Sequence, residues 1–126
     1  MNETKYERTL SIKASGLREW MKKVQYNRYE ATPYAALDRL FHEYTFHQND
    51  SVIDYGCGRG RVSFYIHHHF QIPVKGIEVN LLTFSEAMDN LVTYGRHQPH
   101  APIEFDFSPA EKYAIDEMDN RFYFFN

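Results

Sequence analysis

Two kinds of hydrophobic period follow one another along this chain, and they change over near Ser51. Upstream, apolar residues recur at helical spacing. Leu17, Trp20, Met21 and Val24 fall at i, i+3, i+4 and i+7 behind Ser15, a residue able to cap a helix, while Arg18, Lys22 and Lys23 take the other faces. A second helix is expected from Thr32 as cap and Pro33 at the first helical position, with Leu37, Leu40, Phe41 and Tyr44 on one stripe. Downstream the apolar runs shorten. Ser51-Val52-Ile53-Asp54 reads as a strand entering a glycine-rich turn, and Arg61 to Phe70 as a helix burying Val62, Tyr65 and Ile66. Pro73 to Glu78 gives a second strand, and Leu81 to Tyr94 a helix with Phe84, Ala87, Met88 and Leu91 inward. Ile103, Phe105 and Phe107 alternate with Glu104 and Asp106 as in a half-buried strand, and Arg121 to Phe125 forms a fourth. Strands alternating with helices imply an α/β fold with a parallel, doubly wound sheet.

The 126 residues fit one domain, divided into a helical N-terminal extension over 1–48 and a sheet core over 51–126. With ten Tyr and ten Phe, aromatics are expected to dominate the packing. A net charge of -3 supplies no bulk attraction for nucleic acid or an anionic membrane. Arg18, Lys22 and Lys23 beside Trp20 and Tyr26 could touch a nucleic acid, and an amphipathic helix with a solvated face and a packed Trp is the preferred reading there. Arg59 and Arg61 are read as surface residues or as guides for an anionic substrate. Residues 1–8 lack the apolar stretch of a signal peptide, and nowhere does the chain run for eighteen apolar residues. The single cysteine, Cys57, excludes an internal disulfide, and the cytoplasm is the expected compartment. His67, His68 and His69 point about 100° apart on a helix and cannot share an ion, and His97 and His100 stand without further ligands, so no metal is expected.

The chemistry concentrates in Asp54-Tyr55-Gly56-Cys57-Gly58-Arg59-Gly60. Three glycines between a strand and a helix allow a sharp turn and a close approach of a ligand to backbone. The helix that follows aims unpaired N–H groups at that ligand, favouring a carboxylate or phosphate. Spacing narrows the choice: a dinucleotide fingerprint would put its third glycine at position 61, which is Arg61, and a phosphate-binding P-loop would need Lys and Ser or Thr after Gly60, where Arg61 and Val62 stand. Glu78 ends the next strand, where it can accept hydrogen bonds from ribose hydroxyls of an adenosine ligand.

Val52 to Gly60 resembles the first motif of class I S-adenosylmethionine-dependent methyltransferases, and Gly76-Ile77-Glu78 resembles their second. The resemblance implies a Rossmann-like fold, S-adenosylmethionine as cofactor, and transfer of its methyl group to an acceptor that the sequence does not identify. It implies that Gly56, Gly58 and Gly60 meet the methionine part of the cofactor, that Asp54 helps to hold its ammonium group, and that Glu78 binds the ribose. Adenine contacts are expected from Asp106, Ser108 or the backbone of Ala110, because Pro109 stands near the place of the family's acidic residue. Tyr29, Thr32 and Tyr34 are candidates for closing over the cofactor. Nitrogen-methylating members carry Asn or Asp, Pro and an aromatic after the fourth strand; Asn126 corresponds to the first of these and is the candidate for positioning the acceptor.

Members of that family usually have seven strands, and about three are missing here. The expectation is a truncated Rossmann core whose apolar last strand makes the chain self-associate. A non-catalytic Rossmann module is the rival function; a nicotinamide-dependent oxidoreductase is disfavoured by Arg61. Cys57 is read as a packed thiol without chemistry.

Overall fold

In a computed structural model, residues 3–14, 32–95 and 101–124 are described. The helix expected behind Ser15, the basic residues with Trp20 and Tyr26, Tyr29, His97, His100 and Asn126 all lie outside them. The elements are α1 (Glu3–Leu10), α2 (Tyr34–Glu43), β1 (Val52–Tyr55), α3 (Arg61–Phe70), β2 (Val74–Glu78), α4 (Leu81–Gly95), β3 (Ile103–Phe107), a single 3-10 turn (Ala110–Lys112) and β4 (Arg121–Phe124).

The four strands form one parallel sheet in the order β3-β2-β1-β4. Val52 pairs with Val74 and with Arg121, so β1 is flanked on both sides. Parallel strands need crossovers, and α3 and α4 provide the first two. After β3 the chain returns across the sheet to the far side of β1. The direction of winding therefore reverses beside β1, which is where open α/β sheets form a crevice at the carboxyl ends of their strands.

Side chains alternate across the sheet as the period of two requires. Val52, Val74, Phe105 and Tyr123 face a large cluster to which α1 gives Tyr6 and Leu10, α2 Tyr34 and Leu37, α3 Phe64 and Ile66, and α4 Ala87 and Tyr94. Ile53, Tyr55 and Ile77 face the other way, under Tyr113 from the link before β4. On that side Phe124 stacks on Tyr55 at 4.7 Å between ring centroids. The expected aromatic dominance is visible in both layers.

Several local expectations shift. Helix α2 starts at Tyr34, with Pro33 as its N-cap, and its first amide donates to Glu3 Oε2 at 2.8 Å, so a carboxylate from α1 satisfies an orphan donor. On its stripe Leu37 is buried, whereas Leu40 and Tyr44 are exposed. On α4 the buried row is Thr83, Ala87, Asn90 and Tyr94, while Met88 is exposed. His67 is buried as well: its Nδ1 lies 2.5 Å from the Tyr94 hydroxyl and its Nε2 2.8 Å from the Ala101 carbonyl, and only His68 and His69 of the three form the expected solvated helix end.

Arg59 and Arg61 are also not surface residues. Arg59 Nε sits 3.4 Å from a carboxylate oxygen of Glu86 on α4. The Arg61 guanidinium, 3% exposed, donates to Glu3 at 2.5 Å, to the Thr32 carbonyl at 3.1 Å and to the Ala14 carbonyl at 3.0 Å, and lies 4.2 Å over the Tyr34 ring. Its rigid fork of five donors suits this work, which a lysine could not match. Among the described residues no helix is long and apolar enough to cross a membrane.

Candidate functional site

The turn between β1 and α3 lies at the point where the winding reverses. Gly56, Gly58 and Gly60 all have positive φ, at 67°, 59° and 97°. An L side chain is strained in that region, so the three glycines answer a backbone demand. Their surroundings differ. A Cβ on Gly56 would meet nothing within 4 Å, so this glycine faces open space. One on Gly60 would come within 2.6 Å of Phe64 and 3.0 Å of Phe105, so this glycine lets α3 pack against the sheet. Gly76, in the second motif, works the same way: a Cβ there would be 2.5 Å from the Phe105 ring and 2.9 Å from Cys57 Cβ.

Backbone bonds hold the turn from several sides. The amides of Gly56 and Cys57 both donate to the Ile77 carbonyl, at 2.8 and 3.0 Å. The Gly60 amide donates to the Cys57 carbonyl at 2.9 Å. The Gly58 amide donates to Glu78 Oε1 at 2.8 Å, and Glu78 Oε2 accepts from the amides of Val79 and Asn80 at 3.1 and 2.9 Å. Two carboxylate oxygens offer about four acceptor positions. Among the described residues three are filled by amides, which leaves one position on Oε1. Asn80 in turn caps α4, accepting from the Thr83 amide at 2.9 Å.

Asp54 lies one strand away and below the turn, 2% exposed, accepting from the Ser63 hydroxyl at 2.7 Å. Burial, with the nearby negative charge of Glu78 adding to it and Ser63 opposing, raises its carboxyl from the ordinary 3.8 to about 7. The Cys57 thiol is pushed up by burial and then by the same two carboxylates. Asp54, the three glycines and Glu78 thus meet at one place, with the acids on the carboxyl ends of neighbouring strands.

The remaining candidates divide. Ser108 donates its amide to the Glu78 carbonyl at 2.9 Å, which sets the end of β3 beside the site, and Ala110 follows in the exposed 3-10 turn. Asp106 is exposed. The Thr32 carbonyl is held by Arg61, and its hydroxyl lies 3.3 Å from that of Tyr123. Tyr34 is different: its ring is 0% exposed, stacked on Tyr6 at 4.6 Å, and its hydroxyl donates to Glu7. As placed, it belongs to the core between α1 and α2 and not to a surface that closes on a ligand. Sequence reasoning missed Ser63, Asn80 and Asn90. Asn80, three residues before Thr83 at a helix start, carried a cap signal; the other two are defined by distant partners.

No protein-family model matches the sequence, and no curated protein does. Solved structures do resemble it. An RNA methyltransferase from Salinibacter ruber, in complex with S-adenosyl-L-homocysteine, superposes with a TM-score of 0.57 at 21% identity over 67% of this chain and 53% of that one. A coclaurine N-methyltransferase bound to N-methylheliamine and S-adenosylhomocysteine gives 0.54 at 15% identity, covering 73% of this chain and 28% of that one. A geranyl diphosphate C-methyltransferase from Streptomyces coelicolor gives 0.54 at 15%, covering 67% and 31%. The chain spans about half the length of the first and about a third or less of the other two. What these matches establish is architecture: the chain has the Rossmann-like α/β fold that such methyltransferases share.

Proposed function

We propose that this chain is the cofactor-binding part of an S-adenosylmethionine-dependent methyltransferase. The observation that carries the reading is Glu78, whose carboxylate is held at the end of β2 against the Gly58 amide, beside a turn of three left-handed glycines. The residues present fit such a ligand. Oε1 has acceptor capacity left for a ribose hydroxyl, and a second donor can exchange with the Gly58 amide. Gly56 leaves open space over the turn. Ser108 and Ala110 follow the end of β3 next to Glu78, where the adenine end would lie.

The two acids suit a ligand that carries positive charge, and a cation near Asp54 favours its ionised form. The N-terminus of α3, opening at Gly60, suits the ligand's carboxylate. When bound, S-adenosylmethionine supplies a methyl group already activated on a sulfonium centre. The chain's own contribution is then to orient the ligand through the glycine turn, Asp54 and Glu78. The three similar structures are named for three different acceptors, so the acceptor and the methylated atom are left open; a nitrogen acceptor positioned by Asn126 is the one candidate that the resemblance offers.

The test is calorimetric titration of S-adenosylhomocysteine into the chain, with Glu78→Ala alongside. Binding weakened in the variant by about 1–3 kcal/mol, the worth of hydrogen bonds to a charged group, supports the reading. A folded chain that binds nothing, or binds equally well without Glu78, overturns it. Binding without methyl transfer by a longer form, across amine and RNA acceptors, would favour a non-catalytic module.

A further inference from the structure

Lys13 and Ala14, which follow α1, have no strand partner among the described residues, yet side chains hold all four of their backbone polar groups. The Lys13 amide donates to Asn90 Oδ1 at 2.8 Å, and Asn90 Nδ2 donates to the Lys13 carbonyl at 3.1 Å. The Ala14 amide donates to Glu7 Oε1 at 2.5 Å, and Arg61 Nη2 donates to the Ala14 carbonyl at 3.0 Å. Two of these side chains belong to the ligand turn's surroundings. Arg61 directly follows Gly60, and the second proton of Asn90 Nδ2 goes to the Arg59 carbonyl, inside the turn, at 3.0 Å.

We infer that Asn90 is a positioning residue for ligand binding, coupling the glycine turn to the Lys13–Ala14 backbone so that the two order together; the inference rests on the cofactor reading above. Asn90 stands on the buried row of α4, 5% exposed, where an apolar residue would pack at no polar cost. Its orientation is not free: the Lys13 N–H must meet the oxygen, and the carbonyls of Lys13 and Arg59 must meet the nitrogen. One carboxamide therefore spans two segments far apart in sequence, and the Arg59 carbonyl cannot move without breaking that bond or displacing Lys13. A ligand that binds only the ordered turn must, by linkage, favour the ordered Lys13–Ala14 segment.

The experiment is hydrogen exchange, followed by NMR, at the Lys13 and Ala14 amides with and without S-adenosylhomocysteine, in the wild-type chain and in Asn90→Leu. The expected result is that ligand slows both amides in the wild type by about tenfold or more, whereas in the variant that slowing is lost and affinity falls roughly tenfold. Should Asn90→Leu fail to fold, Asn90→Asp retains the acceptor for Lys13 but loses both donated bonds, and the same result is expected of it. A purely structural asparagine would lower the melting temperature and leave the ligand-dependent protection in place. The inference is overturned if a folded variant binds as tightly as the wild type. It is overturned equally if ligand protects the amides of Gly58 and Gly60 in the wild type while Lys13 and Ala14 exchange unchanged. A wild-type chain that binds no ligand removes the cofactor reading itself and this inference with it.

Discussion

Glu78 and Gly58 are twenty residues apart and joined by one hydrogen bond of 2.8 Å, from the amide of the turn to the carboxylate at the end of the neighbouring strand. The acid that is proposed to bind a ligand therefore also shapes the turn. Glu78→Gln separates charge from shape. A carboxamide offers one oxygen, which can face either the Gly58 amide or the pair from Val79 and Asn80, and its NH2 must then face a donor. The expected outcome is a loss of about 1–3 kcal/mol in stability without ligand, read by urea unfolding at pH 7. Unchanged stability would mean that the carboxylate does not hold the turn.

Asp54 gives a pH dependence with a definite sign. Unfolded, it loses its proton near the ordinary 3.8; folded, it keeps the proton up to about 7. Between those values the folded chain binds the extra proton, so this group's contribution to stability falls as pH rises from about 4 to 7 and then levels off, at up to about 1.4 kcal/mol per pH unit. Asp54→Asn removes that slope. Unfolding curves for both chains at pH 5, 6 and 7 measure the difference, and parallel dependences would show that the buried carboxyl is already ionised in this range.

Three glycine substitutions should rank by what they meet. Gly76→Ala drives a methyl into Phe105 and Cys57, and a cost of about 1–3 kcal/mol is expected from overpacking. Gly60→Ala adds the strain of a positive φ to its clash with Phe64 and should cost more. Gly95→Ala, at the end of α4 with nothing within 4 Å, should be nearly neutral. Thermal unfolding of the set checks the order, and a harmless Gly76→Ala would mean that Phe105 has room to move.

Cys57 sits inside the turn, buried, with its thiol held above its ordinary range by burial and by two carboxylates. Thiolate is the reactive form, so alkylation by iodoacetamide at pH 8 should be about a hundredfold slower in the folded chain than in urea. Mass spectrometry follows the reaction. Comparable rates would show that the turn opens readily.

How much of this was legible beforehand depends on how local the cause was. The strand, glycine turn and helix around Gly56 to Gly60 could be read because turn chemistry and hydrophobic period both act over a few residues. Glu78 was found because a βαβ unit sets its distance from the turn. The division of labour among glycines is not legible in the sequence, since Gly76 is demanded by Phe105, which arrives from a third strand, and Gly60 by its positive φ together with Phe64 and that same Phe105. Arg61 reads as a surface charge or a guide for an anionic substrate for the same reason: Glu3, Ala14 and Thr32 are brought to it only by folding. His67 reads as part of a solvated helix end, yet it is buried against the Tyr94 hydroxyl and the Ala101 carbonyl, partners that only the folding of α4 and the chain beyond it brings to it.

The place of β4 beside β1 bears on how the chain acquires its structure in time. β1 and β2 pair across a short crossover, Val52 with Val74, whereas Ser51 and Asn120, bonded at the entrance to β4, are separated by 69 residues. Closing the larger loop costs more entropy and yields only a four-residue strand. The first three strands can therefore assemble as a nucleus around the glycine turn, with β4 docking afterwards. Changes in β4 should then mainly hasten unfolding, while changes in β1 or β2 slow folding itself.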